Sequence, residues 1–133
     1  MRFVGLREWP MNEPVIECET ESHCYDLHNA GDFRGVEWTP PGALAFRFVY
    51  DPDHLHTPGE GDLRTALELR FTGVRSLHTV LAPDFAVESS ALVEHWVWNR
   101  VSDELGGFEF KVGELTLNFR ATAVELITAP EPL

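Results

Sequence analysis

The stretch Tyr50–Asp62, YDPDHLHTPGEGD, gathers four carboxylates and two histidines between two strand-like runs. Asp51, Asp53, His54 and His56 are its best metal donors. On an extended segment His54 and His56 point the same way, so both could reach one ion. A catalytic zinc site needs three protein ligands at ~2.0–2.2 Å, oriented by further hydrogen bonds. No HExxH motif and no paired cysteine spacing completes such a set here. The Asp-x-Asp opening also fails as a calcium loop, because a histidine follows where oxygen donors and a glycine should continue. Pro52, Pro58, Gly59 and Gly61 forbid regular structure, so the segment is expected to be a solvated loop without a metal.

A second cluster lies in ESHCYDLHNAGDF. His23, Cys24 and His28, with Cys18 as a fourth, are soft donors, but Cys18 and Cys24 do not have zinc-ribbon spacing. Cys24 has no activating base nearby in sequence, so a Cys/His nucleophile is not expected. The chain also lacks G-x-S-x-G, a phosphate-binding lysine loop and G-x-G-x-x-G. Choosing any two of its carboxylates as a glycosidase pair would be arbitrary. The sequence therefore predicts no catalytic residue, no cofactor and no metal, and a protein that is not an enzyme.

The elements that hold these residues alternate with period two. Leu44, Phe46, Phe48 and Tyr50 share one face of a strand. So do Leu67, Leu69 and Phe71, then Phe108, Phe110 and Val112, then Leu115, Leu117 and Phe119. Gly113-Glu114 has the chemistry of a two-residue type II′ hairpin turn, since glycine accepts positive φ at the first central position. Thr39–Gly42, TPPG, predicts a second hairpin between Phe33–Trp38 and Ala43–Tyr50. RFVGL, PVIECE (Pro14–Glu19) and AVELIT are weaker strand candidates. Across residues 89–105, Val93, Val97 and Val101 have helical spacing, yet the valines and tryptophans and the lack of a capping box favour a strand. Leu67-x-Leu-x-Phe71 followed by Val74 and Leu77 echoes Leu115-x-Leu-x-Phe119 followed by Val124 and Leu126. Each reads as a strand running through a bend into further apolar positions.

These patterns predict one all-β domain, 1–133, mainly antiparallel, with about eight short strands in a sandwich or partly closed barrel and at most one helix. The expected core is Phe46, Phe48, Leu67, Leu69, Phe71, Trp96, Phe108, Phe110, Leu115, Leu117, Phe119, Val124 and Leu126. A length of 133 residues is ample for one buried core. No apolar run is long enough for a membrane helix, no secretory signal is read at the start, and only two cysteines are present. A reducing cytoplasm is the expected location.

With 22 Asp and Glu against 10 Lys and Arg, the net charge is −12. Such a surface repels nucleic acid and anionic lipid and attracts cations. The expected partner is a basic protein, with no nucleic acid and no membrane. Candidate contacts are Asp51, Asp53, Glu60 and Asp62 for steering, with Trp38 and Trp9 as aromatic anchors.

The run YDLHNAGDFRGVEWTPPGALAFRF resembles small bacterial β-rich domains, among them immunity proteins of polymorphic toxin systems. Those often begin with (L/F)HDA, then an apolar strand, a turn and a second alternating strand. Leu27-His28-Asn29-Ala30, Phe33–Trp38 and Ala43–Tyr50 occupy these places, and LELRFTGVRSL resembles their second hairpin. The likeness spans Tyr25–Leu77. Asn29 replaces the usual Asp, so no role of that Asp carries over. The resemblance implies a non-enzymatic binding protein, such as one that neutralises a basic toxin. The alternatives are a barrel holding a small ligand in a central pocket lined by Phe and Trp, or a dimer formed through the PVIECE edge.

Overall fold

The computed structural model describes residues 1–52, 64–81 and 93–130. They form eleven strands: β1 (Arg2–Val4), β2 (Glu17–Glu19), β3 (Cys24–Asp26), β4 (Gly31–Thr39), β5 (Ala43–Tyr50), β6 (Thr65–Thr72), β7 (Arg75–Leu81), β8 (Val93–Arg100), β9 (Gly106–Val112), β10 (Leu115–Ala121) and β11 (Ala123–Pro130). One sheet has the order β1-β11-β6-β5-β4 and the other β7-β10-β9-β8, while β2 and β3 pair as a separate hairpin. All pairings are antiparallel except that of β1 with β11. The architecture is an all-β sandwich, not a closed barrel. No helix among the described residues is long and apolar enough to cross a membrane.

The expected eight strands become eleven. β3 is only three residues long, too short to show a period. β7 carries a register shift against β10 that blurs its alternation, and its Leu77 stays 39% exposed. Residues 93–100 are a strand, as the valines and tryptophans indicate. A register shift between Val93 and His95 lets Val93, Trp96 and Trp98 all bury, which strict alternation does not allow.

The two hairpins have their expected turns. Val112 registers with Leu115, leaving Gly113-Glu114 as the loop with Gly113 at φ +55°. Thr39 registers with Ala43 around Pro40–Gly42, where the Gly42 N–H donates to the Thr39 carbonyl. The echoed bends are the corners at which the chain changes sheet, β6 into β7 and β10 into β11. They are tied back to back, because the Thr122 N–H and hydroxyl both donate to the Thr72 carbonyl, at 3.0 and 3.2 Å. Gly73 makes its corner possible with φ +64°.

Between the sheets lies a continuous aromatic cluster. Trp96 packs on Phe110 at 4.2 Å, Phe46 at 4.8 Å and Phe71 at 5.3 Å between ring centroids. Phe119 touches Phe46, Phe71 and Phe108. Every residue of the expected core is buried except Leu115, which packs half-buried against it. Phe46, Phe48, Phe71 and Phe119 occupy the space in which a barrel ligand would sit.

Candidate protein-binding surface

The sequence Glu-Cys-Glu-Thr-Glu alternates acid with smaller residues, and the β2–β3 hairpin sorts them by face. Cys18 registers with Tyr25, and both are buried. The opposite parity therefore points outward. Glu17 registers directly with Asp26, and Glu19 with Cys24. Like charges directly opposite in a ladder destabilise it, so the outer face of this hairpin concentrates negative charge at some cost to its own pairing. Thr20 closes the turn around Glu21 by bonds with His23, including an N–H to carbonyl bond of 2.8 Å.

The carboxylates are held by local bonds. Asp26 accepts from the Asn29 backbone N–H at 2.9 Å and from its side-chain amide at 2.7 Å. Glu17 accepts the Cys24 thiol at 3.2 Å. Glu19 pairs with Arg7 at 2.6 Å. The field is visible in the Cys24 thiol, whose pKa rises from its ordinary 9.0 to about 11. Burial is the main cause, followed by the hydrogen bond to Glu17 and repulsion from Glu17, Glu19 and Asp26.

The hairpin joins the end of the sandwich that carries Asp51. Tyr25 meets Tyr50 edge to face at 5.1 Å, the Ala30 N–H donates to the Asp26 carbonyl, and the Asp51 N–H donates to the Ala30 carbonyl. Asp51 pairs with Arg64 at 3.4 Å, leaving its side chain 13% exposed. Asp53, Glu60 and Asp62, like His54 and His56, lie outside the described residues.

The aromatic candidates do not join this zone. Trp38 is 47% exposed but registers with Leu44, at the far end of β5 from Asp51. Six residues of strand separate Leu44 from Tyr50, roughly 20 Å. Trp9 is not an anchor at all. It is 4% exposed, packed on Phe3, Trp96 and Phe108, with its carbonyl taking the Trp98 indole N–H at 2.7 Å. A lone tryptophan beside prolines gives no period from which sequence could place it inside.

The soft-donor cluster is also dispersed. Cys18 faces the interior and Cys24 the solvent, and the His28 Nδ1 is bonded to the Val93 carbonyl at 2.7 Å. Among the described residues no three His, Cys, Asp or Glu side chains gather as a metal site. What sequence reasoning missed is the Glu17–Asp26 face itself. The alternation of Glu17 and Glu19 around Cys18 was its signal, but pairing with Asp26 needs the register. Comparison of the chain with models of protein families, with curated proteins and with solved structures finds no match.

Proposed function

We propose that this domain is a non-catalytic binding module that docks a basic protein through its acidic end, most concretely as a bacterial cytoplasmic immunity protein that occludes a cationic toxin. The observation that carries the reading is the outward Glu17–Asp26 pair flanked by Glu19 and Glu21, next to Asp51 on the same end of the sandwich. Arg7 and Arg64, the cations bonded to this zone, are already matched by Glu19 and Asp51. Uncompensated carboxylates of this kind steer a cationic partner over a Debye length of ~10 Å at 0.1 M salt, raising the association rate more than the final affinity. Exposed Trp38 lies too far away to share that contact and would serve a separate edge of the interface.

The test pairs the full chain with the protein encoded beside its gene, by stopped-flow association and calorimetry. Glu17→Gln with Asp26→Asn should slow association about tenfold at low salt and far less at 1 M, where the Debye length falls to ~3 Å. Glu37→Gln, on β4 and registered with Ala45 toward the end of β5 far from Tyr50, is the control. Association indifferent to both the double variant and ionic strength would defeat the proposal.

A further inference from the structure

On the outer face of the β7-β10-β9-β8 sheet two cations stand opposite each other. Six of the ten cations, Arg7, Arg47, Arg64, Arg70, Arg100 and Lys111, pair with carboxylates. Arg120 on β10 instead registers with Arg75 on β7, on the outward side of the ladder, and no described carboxylate pairs with either. Two guanidinium groups opposite each other repel. Among the described residues no carboxylate offsets this local positive spot, and an external anion would relieve it.

Beside Arg120 the face is hollow. A groove of about 560 Å³ is lined by Asn12, Ser76, His78, Asn99, Asn118 and Arg120, with Val97, Val101 and Glu109 at its sides. Its floor is Gly107, which registers with Arg120 on one side and Asn99 on the other. A Cβ there would stand 2.8 Å from the Asn99 Oδ1 and 3.2 Å from the Val101 Cγ2, so glycine makes room for these two lining side chains. Among the described residues only two non-glycine residues adopt positive φ, Asn12 at 59° and Ser76 at 55°, and both line this groove. Ser76 stands in the register shift of β7 against β10, which re-aims the side chains beside Arg120 toward the groove.

We propose that this face binds a small polyhydroxylated oxyanion, a sugar phosphate or a sugar acid, with Arg120 as its anion contact. The three asparagines and Ser76 each offer a donor and an acceptor, the complement of vicinal hydroxyls. Glu109, bonded to His95 at 3.4 Å, accepts a further hydroxyl. Val97 and Val101 face the apolar side of a sugar ring. Arg120 grips carboxylate or phosphate oxygens through its planar fork, and Arg75 at the rim adds charge. The groove lies in the size range of small-molecule sites, while the net charge of −12 disfavours a nucleic acid or anionic membrane in its place.

Amide-resolved NMR titration of the full chain with glucuronate, glucose 6-phosphate, glucose and inorganic phosphate tests this. Shifts should gather at Ser76, His78, Asn99, Gly107, Asn118 and Arg120 with glucuronate, glucose 6-phosphate or both, at a Kd of about 1 mM or tighter. The stronger of the two identifies carboxylate or phosphate as the favoured group. Glucose alone and inorganic phosphate alone should each bind at least about tenfold more weakly, and Arg120→Gln should cost about tenfold or more. Arg75→Gln should cost less. These side chains are at the surface and removing one relieves repulsion, so both variants should fold. No shift at these residues by about 10 mM of either acid, equal binding of glucose, equal binding of free phosphate, or an unaffected Arg120→Gln variant would overturn the proposal.

Discussion

The thiol of Cys24 reports the acidic field of the β2–β3 hairpin, and its alkylation rate turns that field into a measurement. The thiolate is the reacting form. A thiol with the ordinary pKa of 9.0 is about one-tenth ionised at pH 8, while one raised to about 11 is ionised to about one part in a thousand. Because a thiolate of higher pKa is also the stronger nucleophile, Cys24 should react with iodoacetamide roughly tenfold more slowly at pH 8 than an unperturbed cysteine, although it is exposed. Burial accounts for the largest part of the rise, so Glu17→Gln should recover only part of the rate, several-fold, by removing both an acceptor and a charge. Adding Glu19→Gln and Asp26→Asn should speed it further, and 1 M salt should mimic part of their effect. The assay is mass-spectrometric quantification of Cys24 alkylation from pH 7 to 11 in a Cys18→Ala background. A rate profile with its midpoint near 9, or one unmoved by all three substitutions, would refute the claim that carboxylates converge on this hairpin.

Other perturbations test the sandwich and its charge placement. Burial raises the pKa of Cys18, with a smaller push from Cys24. The folded state therefore keeps a proton that the unfolded chain releases above pH 9, and stability should be full below pH 9 and fall above it. The slope from Cys18 is about 1.4 kcal/mol per pH unit, read by urea unfolding and lost in Cys18→Ala. Trp96→Ala, which empties the centre of the aromatic cluster, should cost about 3–5 kcal/mol by the same method. Gly73→Ala should destabilise by about 1–3 kcal/mol, because its φ of +64° is unfavourable to a side chain and the new Cβ would overlap the Thr122 hydroxyl. Arg75→Gln should leave the melting temperature unchanged or raise it, with a gain of a few tenths of a kcal/mol from relieved repulsion.

Sequence made the sandwich legible because its long strands bury one face and wet the other. Phe108, Phe110 and Val112 declare their side by spacing alone, and Gly113 marks the turn between β9 and β10. Legibility fails where geometry is set by partners distant in the chain. Val93 enters the core through a register shift, which no local pattern announces. Trp9 is covered by β8 and β9 side chains some ninety positions later in the chain, so its burial is a property of the fold and not of its neighbours. For the same reason composition announced a negative molecule but could not place its charges. Asp51 was recognised as a candidate, whereas Asp26, fixed opposite Glu17 by the hairpin register, was not.

The two like-charge pairs share a logic. Glu17 faces Asp26 on one hairpin, and Arg75 faces Arg120 on the four-stranded sheet. Each arrangement costs the fold something, and each could be relieved by a single exchange of charge. A ladder optimised for stability alone would alternate signs, as Arg47 does between Glu37 and Glu68 on the outer face of the five-stranded sheet. That contrast within one molecule argues that the unalternated pairs answer to something outside it. The negative pair stands on the outward face of the β2–β3 hairpin, where the proposed partner is a protein. The positive pair stands beside the open groove of the four-stranded sheet, where the proposed ligand is small. The two proposed sites lie on different elements and share no side chain, so substitutions in one should leave binding at the other intact.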